Sequence, residues 1–400
     1  MPGDRWIKPV LDDIRARGRW RSLDHRIVSG KQGRHVDIAG RRLLCFASND
    51  YLGLAGDDVT SHAAAAALVL WGHGAGASRH ISGNMAPHVA LEGQLASWLR
   101  ADTAVLFGSG VLANTGVIPA LVGPGDAVFS DELNHASIVD GCRLARATTH
   151  VYRHGDAAHL STLLAAHPAP RRLVVTDALF SMDGDLAPLP EIAAVVQEHD
   201  VMLLVDEAHA IGTLGQGRGA CVEAGVDDVV TVRIGTLGKA LGSYGAFACG
   251  SRAVVDLLTN RARSLVFSTA LPPSACAAAL AALDVVRHGE RTQKLRHLCR
   301  VAQEAAVRHG VAHLLPRHAL AGPIFPLIVG EDRAALRLAD ALRARGFLGV
   351  GVRPPTVPDG TARVRITLSA LHHETDVEAL FAAVATSLAE GRNTLAEAGA

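Results

Sequence analysis

The chain has 400 residues, 49% apolar and 20% charged, with 39 Lys plus Arg balanced by 39 Asp plus Glu. This composition excludes a disordered chain and leaves no charge excess for a nucleic-acid or anionic-membrane footprint. The length predicts two domains with appendages.

Residues 1–55 read as an amino-terminal arm: a basic amphipathic helix over 11–21, then a hairpin through Val36-Asp-Ile38 and Arg42-Leu-Leu-Cys-Phe46. Arg15, Arg17, Arg19 and Arg21 crowd the helix end, where a solvated face is the default reading. The opening Met1-Pro-Gly-Asp-Arg-Trp-Ile7 lacks the apolar core of a signal peptide. The longest apolar stretch, 63–71, is shorter than the roughly 20 residues of a membrane span. Gly72-His-Gly-Ala-Gly76 lacks the spacing of a dinucleotide fingerprint and follows no clear strand, so no nicotinamide site is expected.

Residues 56–290 alternate strand-like and helix-like segments. Strands are predicted near 104–107, 127–129, 173–176, 201–205, 229–232 and 246–249. This is an α/β pattern: a large, mostly parallel sheet with helices on both faces. From about 291 the pattern changes to a smaller carboxyl-terminal α/β domain, with strands near 324–328 and 364–368 and helices near 334–345 and 375–389. Six scattered cysteines without a CxxC pair predict reduced thiols in a cytoplasmic protein. Twenty histidines without an HExxH motif give no ground for a metal site.

The chemistry concentrates at strand ends. Thr236-Leu-Gly-Lys239 breaks a β-branched run and is followed by Gly242 and Gly245. Lys239 is a solvated surface group or a desolvated amine able to act as nucleophile or imine former. Asp206-Glu-Ala-His209 ends the apolar run 201–205, where ligands of open α/β sheets sit. Asp206 can cap a helix and His209 can be an ordinary buried histidine. Together with Lys239 they also match a pyridoxal-phosphate device: carboxylate to the pyridine nitrogen, imidazole to the ring oxygen, amine to the aldehyde. Gly108-Ser-Gly-Val-Leu-Ala-Asn114 is a glycine loop entering a helix, whose first N–H groups, near Gly110 and Val111, suit a phosphate. His135 can stack on a flat ring or cap a helix, and Ser181 lies in a turn after another strand. Arg363 and Arg365 share one face of a strand, as exposed edge residues or as carboxylate clamps.

From about residue 11 to 374 the chain resembles the α-oxoamine synthase family of fold-type I pyridoxal-phosphate enzymes. Ser48-Asn-Asp-Tyr-Leu-Gly-Leu54, Ser78-Arg-His-Ile-Ser-Gly83, Asn134-His-Ala-Ser137, Phe180-Ser-Met-Asp-Gly-Asp185 and Phe267-Ser-Thr269 carry that resemblance alongside the motifs above. It implies pyridoxal phosphate on Lys239, with Asp206, His209, Ser181, Thr236, His135, Gly110 and Val111 around it. It implies Ser268 and Thr269 contacting the neighbouring subunit's phosphate in a homodimer with shared active sites. It implies Arg21, His135, Thr356 and Arg365 as substrate contacts, with Arg365 on the α-carboxylate, and Arg353 lining the acyl channel or meeting a distal carboxylate. Arg353-Pro-Pro-Thr356 is typical of one branch, which condenses L-alanine with pimeloyl-CoA or a pimeloyl carrier protein in biotin biosynthesis. Glu207 stands where that branch commonly has a second Asp. Two alternatives remain: a sister activity joining glycine to acetyl-CoA or succinyl-CoA, and a non-catalytic cofactor-binding homologue.

Overall fold

The computed structural model describes residues 3–23, 27–318 and 320–398. They form two compact units, one of residues 50–296 and one of 1–49 with 297–400. The segment expected as a separate arm thus divides: all but its last few residues group with the carboxyl-terminal part of the chain.

The amino-terminal stretch holds α1 (Ile7–Ala16), β1 (Val28–Ser29), β2 (His35–Ile38) and β3 (Arg41–Cys45). The helix stops earlier than its amphipathic pattern predicted. Gly18 adopts φ +64°, a left-handed conformation that glycine accepts without a Cβ penalty, and the chain runs non-helically beyond it. Arg15 and Arg17 stay on the helical end, paired with Asp12 and Asp13. Arg19 and Arg21 lie past it, Arg19 on Asp359 at 2.7 Å and Arg21 on the Thr356 hydroxyl at 3.2 Å.

The larger unit opens with α2 (Asp58–Trp71) and α3 (Ala86–Leu99), followed by β4 (Thr103–Phe107), α4 (Gly110–Leu121), β5 (Ala127–Asp131) and α5 (Ala136–Ala145). Then come β6 (Thr148–Tyr152), β7 (Arg172–Asp177), β8 (Met202–Asp206), β9 (Val232–Thr236) and β10 (Ala246–Gly250). These seven strands form one sheet in the order β4-β10-β9-β8-β7-β5-β6, in which β10 alone runs against the rest. Every position of β5 and β9 is buried, as a sheet covered on both faces requires. Val117, Ile118 and Ile138 of α4 and α5 pack into one core with Val128, Leu173 and Leu204 of the sheet.

In the seven-stranded sheet, two strands differ from expectation. β6 was not foreseen: as an outer strand it pairs with β5 alone and is largely exposed, so it carries no apolar run. β9 starts at Val232 rather than 229, because residues 226–229 form a turn, Val229 N–H donating to the Val226 carbonyl.

The carboxyl-terminal stretch adds β11 (Ile324–Gly330), β12 (Phe347–Leu348), β13 (Val350–Val352) and β14 (Ala362–Thr367). β12 extends the β1-β2-β3 sheet by pairing parallel to β3. The other three strands order as β11-β14-β13. β14 is therefore central and buried throughout, which corrects the edge reading of Arg363 and Arg365.

Candidate active site

Neighbouring strands β7, β8 and β9 end at Asp177, Asp206 and Thr236, with Asp177 opposite Asp206 in register. A cavity of about 180 Å³ opens at these ends, lined also by Lys239, His209, His135 and the start of α4. A crevice at the carboxyl ends of parallel strands is where this topology leaves room for a ligand.

Lys239 is half-buried, and its Nζ lies 2.8 Å from His209 Nε2. The Tyr51 hydroxyl lies 2.6 Å from Nδ1 of the same imidazole. The amine therefore faces a cavity instead of bulk water, against the surface reading of a loop lysine.

Asp206 is buried and accepts from the Asn114 amide at 2.7 Å and from the Ala208 N–H at 2.9 Å. The same Asn114 nitrogen donates to Ser137 Oγ at 2.9 Å, while its Oδ1 is buried without a partner. Burial, reinforced by the Asp206 charge, pushes the Asp177 carboxyl well above its ordinary range. Asp177 accepts from the His135 backbone N–H at 2.7 Å.

His135 is the N-cap of α5: its Nδ1 accepts from the Ser137 N–H at 3.2 Å and meets Ser137 Oγ at 2.7 Å. Burial lowers its pKa, Asp206 opposes that shift and Lys239 adds to it. The imidazole is thus neutral near pH 7, and with Nδ1 accepting, its proton is on Nε2.

Also lining the cavity, Ser109 caps α4 by accepting from the Leu112 N–H at 3.2 Å. A Cβ added at Gly110 would meet nothing within 4 Å, so the start of α4, which lines the cavity, leaves open space beside this glycine. Thr236 Oγ1 donates to the Gly245 carbonyl at 3.1 Å and accepts from the Gly238 N–H at 3.2 Å, which ties it into the lysine loop.

An amine, a carboxylate, a neutral imidazole and an anion-favouring helix start around one small cavity fit the parts of pyridoxal phosphate. The expected residues Lys239, Asp206, His209, His135, Thr236, Gly110 and Val111 all line this cavity. Ser181 does not; it sits in the hairpin turn between Leu179 and Leu186. Ser268 and Thr269 line a separate cleft, where Thr269 bridges to Ser78. Arg21, Arg353 and Thr356 belong to the other unit and line a cavity of about 720 Å³ there. Arg365, also in that unit, is buried and donates from both terminal nitrogens to Asn49 Oδ1 at 3.2 Å. Asn114, Ser137 and Asp177 escaped the sequence reading, although Asp177 carries the same signal as Asp206, an acid closing an apolar strand.

Outside the cavity lining, His154 bridges Asp131 at 2.9 Å and Asp185 at 2.7 Å and meets the Phe180 ring edge-on. Burial alone would lower its pKa, but the two carboxylates raise it to about 10. The imidazolium thereby fastens the loop before His135 to the turn that carries Ser181.

The aminotransferase class I and II family matches residues 41–384. An 8-amino-7-oxononanoate synthase of Anaeromyxobacter dehalogenans is 51% identical over 387 residues, covering 96% of this chain and 95% of that protein. One from Geobacter sulfurreducens is 47% identical over 386 residues, covering 95% and 97%. Among solved structures, a serine palmitoyltransferase of S. paucimobilis holding pyridoxal phosphate with myriocin superposes with a TM-score of 0.88 at 27% identity, covering 96% of this chain and 97% of that one. The chain belongs to the aminotransferase class I and II family, as a fold-type I pyridoxal-phosphate enzyme.

Proposed function

We propose that this protein is an 8-amino-7-oxononanoate synthase, condensing L-alanine with a pimeloyl thioester on CoA or on a carrier protein, with loss of carbon dioxide and thiol. The observation that supports this most is the Lys239 amine, 2.8 Å from His209 in the cavity that also holds Asp206, in a chain 51% identical to an enzyme of that name.

Bound pyridoxal phosphate supplies an electron-withdrawing ring that stabilises negative charge at the amino acid's Cα. Lys239 would hold it through Nζ, Asp206 would face its ring nitrogen, His135 its ring face and the start of α4 its phosphate. Lys239 Nζ would also be the group placed to take and return the proton at Cα. Arg365 offers a planar fork suited to the α-carboxylate, and Arg21, Thr356 and Arg353 receive the acyl donor. The Nε2–H of His135 can donate to the thioester oxygen as negative charge builds there.

We further propose a homodimer in which Ser268 and Thr269 face the partner's phosphate. Ile81 and Phe267, close in sequence to the bridged pair Ser78 and Thr269, are 80% and 72% exposed, as residues awaiting a partner would be.

The test is thiol release from a panel of acyl-CoAs, each offered with alanine, glycine or serine. Release with pimeloyl-CoA and alanine is expected. Release only with a short acyl-CoA and glycine would move the protein to a sister activity. Lys239→Ala should lower turnover by at least about 10²–10⁴-fold, as loss of a positioned proton-transfer group does. Near-normal turnover in that variant would sink the assignment.

A further inference from the structure

The 720 Å³ cavity of the second unit contains a cation that the roles above do not use. The helix Asp332–Ala344 presents Leu336, Asp340 and Arg343 to it, at the spacing of one helical face. Trp20, Val350 and Val352 add apolar wall, enough to receive a methylene chain. Arg21 is engaged with Thr356 Oγ1, and Arg353 donates to the Gly18 carbonyl. Arg343 differs: its Nε is buried with no hydrogen-bond partner. A buried donor left unsatisfied is costly, and an incoming acceptor removes that cost. Three arginines against the one carboxylate of Asp340 leave the lining net positive.

We propose that Arg343 is a specificity-determining contact for an anionic group of the acyl donor, either the carboxylate at the far end of a dicarboxylic acyl chain or a phosphate of the carrier. The inference rests on the function proposed above. A cavity that combines apolar wall with a guanidinium suits a carboxylate at the end of a methylene chain, and a guanidinium fork equally accepts a phosphate.

The experiment measures KM and kcat with alanine for the wild type, Arg343→Met and Arg343→Lys. Three donors are compared: pimeloyl-CoA, heptanoyl-CoA without the second carboxylate, and the pimeloyl thioester of N-acetylcysteamine without phosphates. For a donor that is not turned over, Ki replaces KM. Wild-type turnover is read first, with pimeloyl-CoA and, if that is inert, with the pimeloyl carrier-protein thioester; absence with both overturns the proposed function and this inference with it. Arg343→Met is expected to raise KM for pimeloyl-CoA about 10- to 100-fold with kcat little changed, as loss of a charged hydrogen bond does. Arg343→Lys should recover part of that loss. A defect with both pimeloyl donors but not heptanoyl-CoA identifies the carboxylate. A defect with both CoA donors but not the N-acetylcysteamine thioester identifies a phosphate. An active wild type with unchanged kinetics in Arg343→Met overturns the inference alone. So does an equal defect with all three donors, which marks a structural effect; the variant's melting midpoint checks that directly.

Discussion

His135 shows how a few contacts decide what one side chain can do. Its backbone N–H is held by Asp177 and its Nδ1 by Ser137, so the ring orientation and the position of its proton are both set. Burial depresses its pKa from 6.5, which keeps the ring neutral and able to donate through Nε2 at physiological pH. His135→Phe retains a flat ring but removes the donor. It should leave the absorbance of bound pyridoxal phosphate nearly intact while kcat/KM falls by about 10²–10³-fold, the cost of one such donor. Loss of the cofactor absorbance together with activity would instead point to a purely cofactor-holding role.

At the scale of elements, buried ionic contacts hold the strand ends in place. Glu207, where a second Asp is common in one branch of the family, has the reach to meet Arg233 of β9 at 2.6 Å and the Cys221 N–H at 2.8 Å. The longer side chain thus ties the end of β8 to β9. His154 does the same for β5 and the turn after β7. Its folded pKa of about 10 lies above the ordinary 6.5, so its contribution is fully present below about pH 6.5 and is lost as pH rises towards 10. His154→Gln should therefore lower the melting midpoint at pH 6.5 and reduce the fall in stability between pH 7 and 10. A variant whose melting profile parallels the wild type over that range would show that the clamp is not ionic.

For the whole molecule, the exposed apolar groups of the larger unit are the informative feature. Val69 and Leu70 at the end of α2 are 90% and 74% exposed. In the proposed homodimer the partner would cover such side chains, with Ile81 and Phe267. Sedimentation should give twice the mass of the 400-residue chain at micromolar concentration. Phe267→Glu should shift the protein towards the monomer with loss of activity. A fully active wild-type monomer would refute shared active sites. Among the described residues no helix is long and apolar enough to cross a membrane.

The sequence alone determined the α/β class and the placing of Asp206 at a ligand crevice, and left Lys239 and His209 with a surface or core reading beside the crevice one. Those features are local: a buried parallel strand must be an unbroken apolar run, and the residues just past its carboxyl end face the crevice. Tertiary structure decided everything that depends on which strands become neighbours. Arg363 and Arg365 look like edge residues in an alternating strand, yet β14 lies between β11 and β13 and buries them. The outer strand β6 lacks an apolar run because it needs none. Asn114 joins Asp206 only through contact between α4 and a strand 92 residues away, and Arg343 looks like any solvated helical arginine until a cavity surrounds it. Sequence periodicity reports which face of an element is apolar; which side chains from distant elements meet there depends on topology and packing.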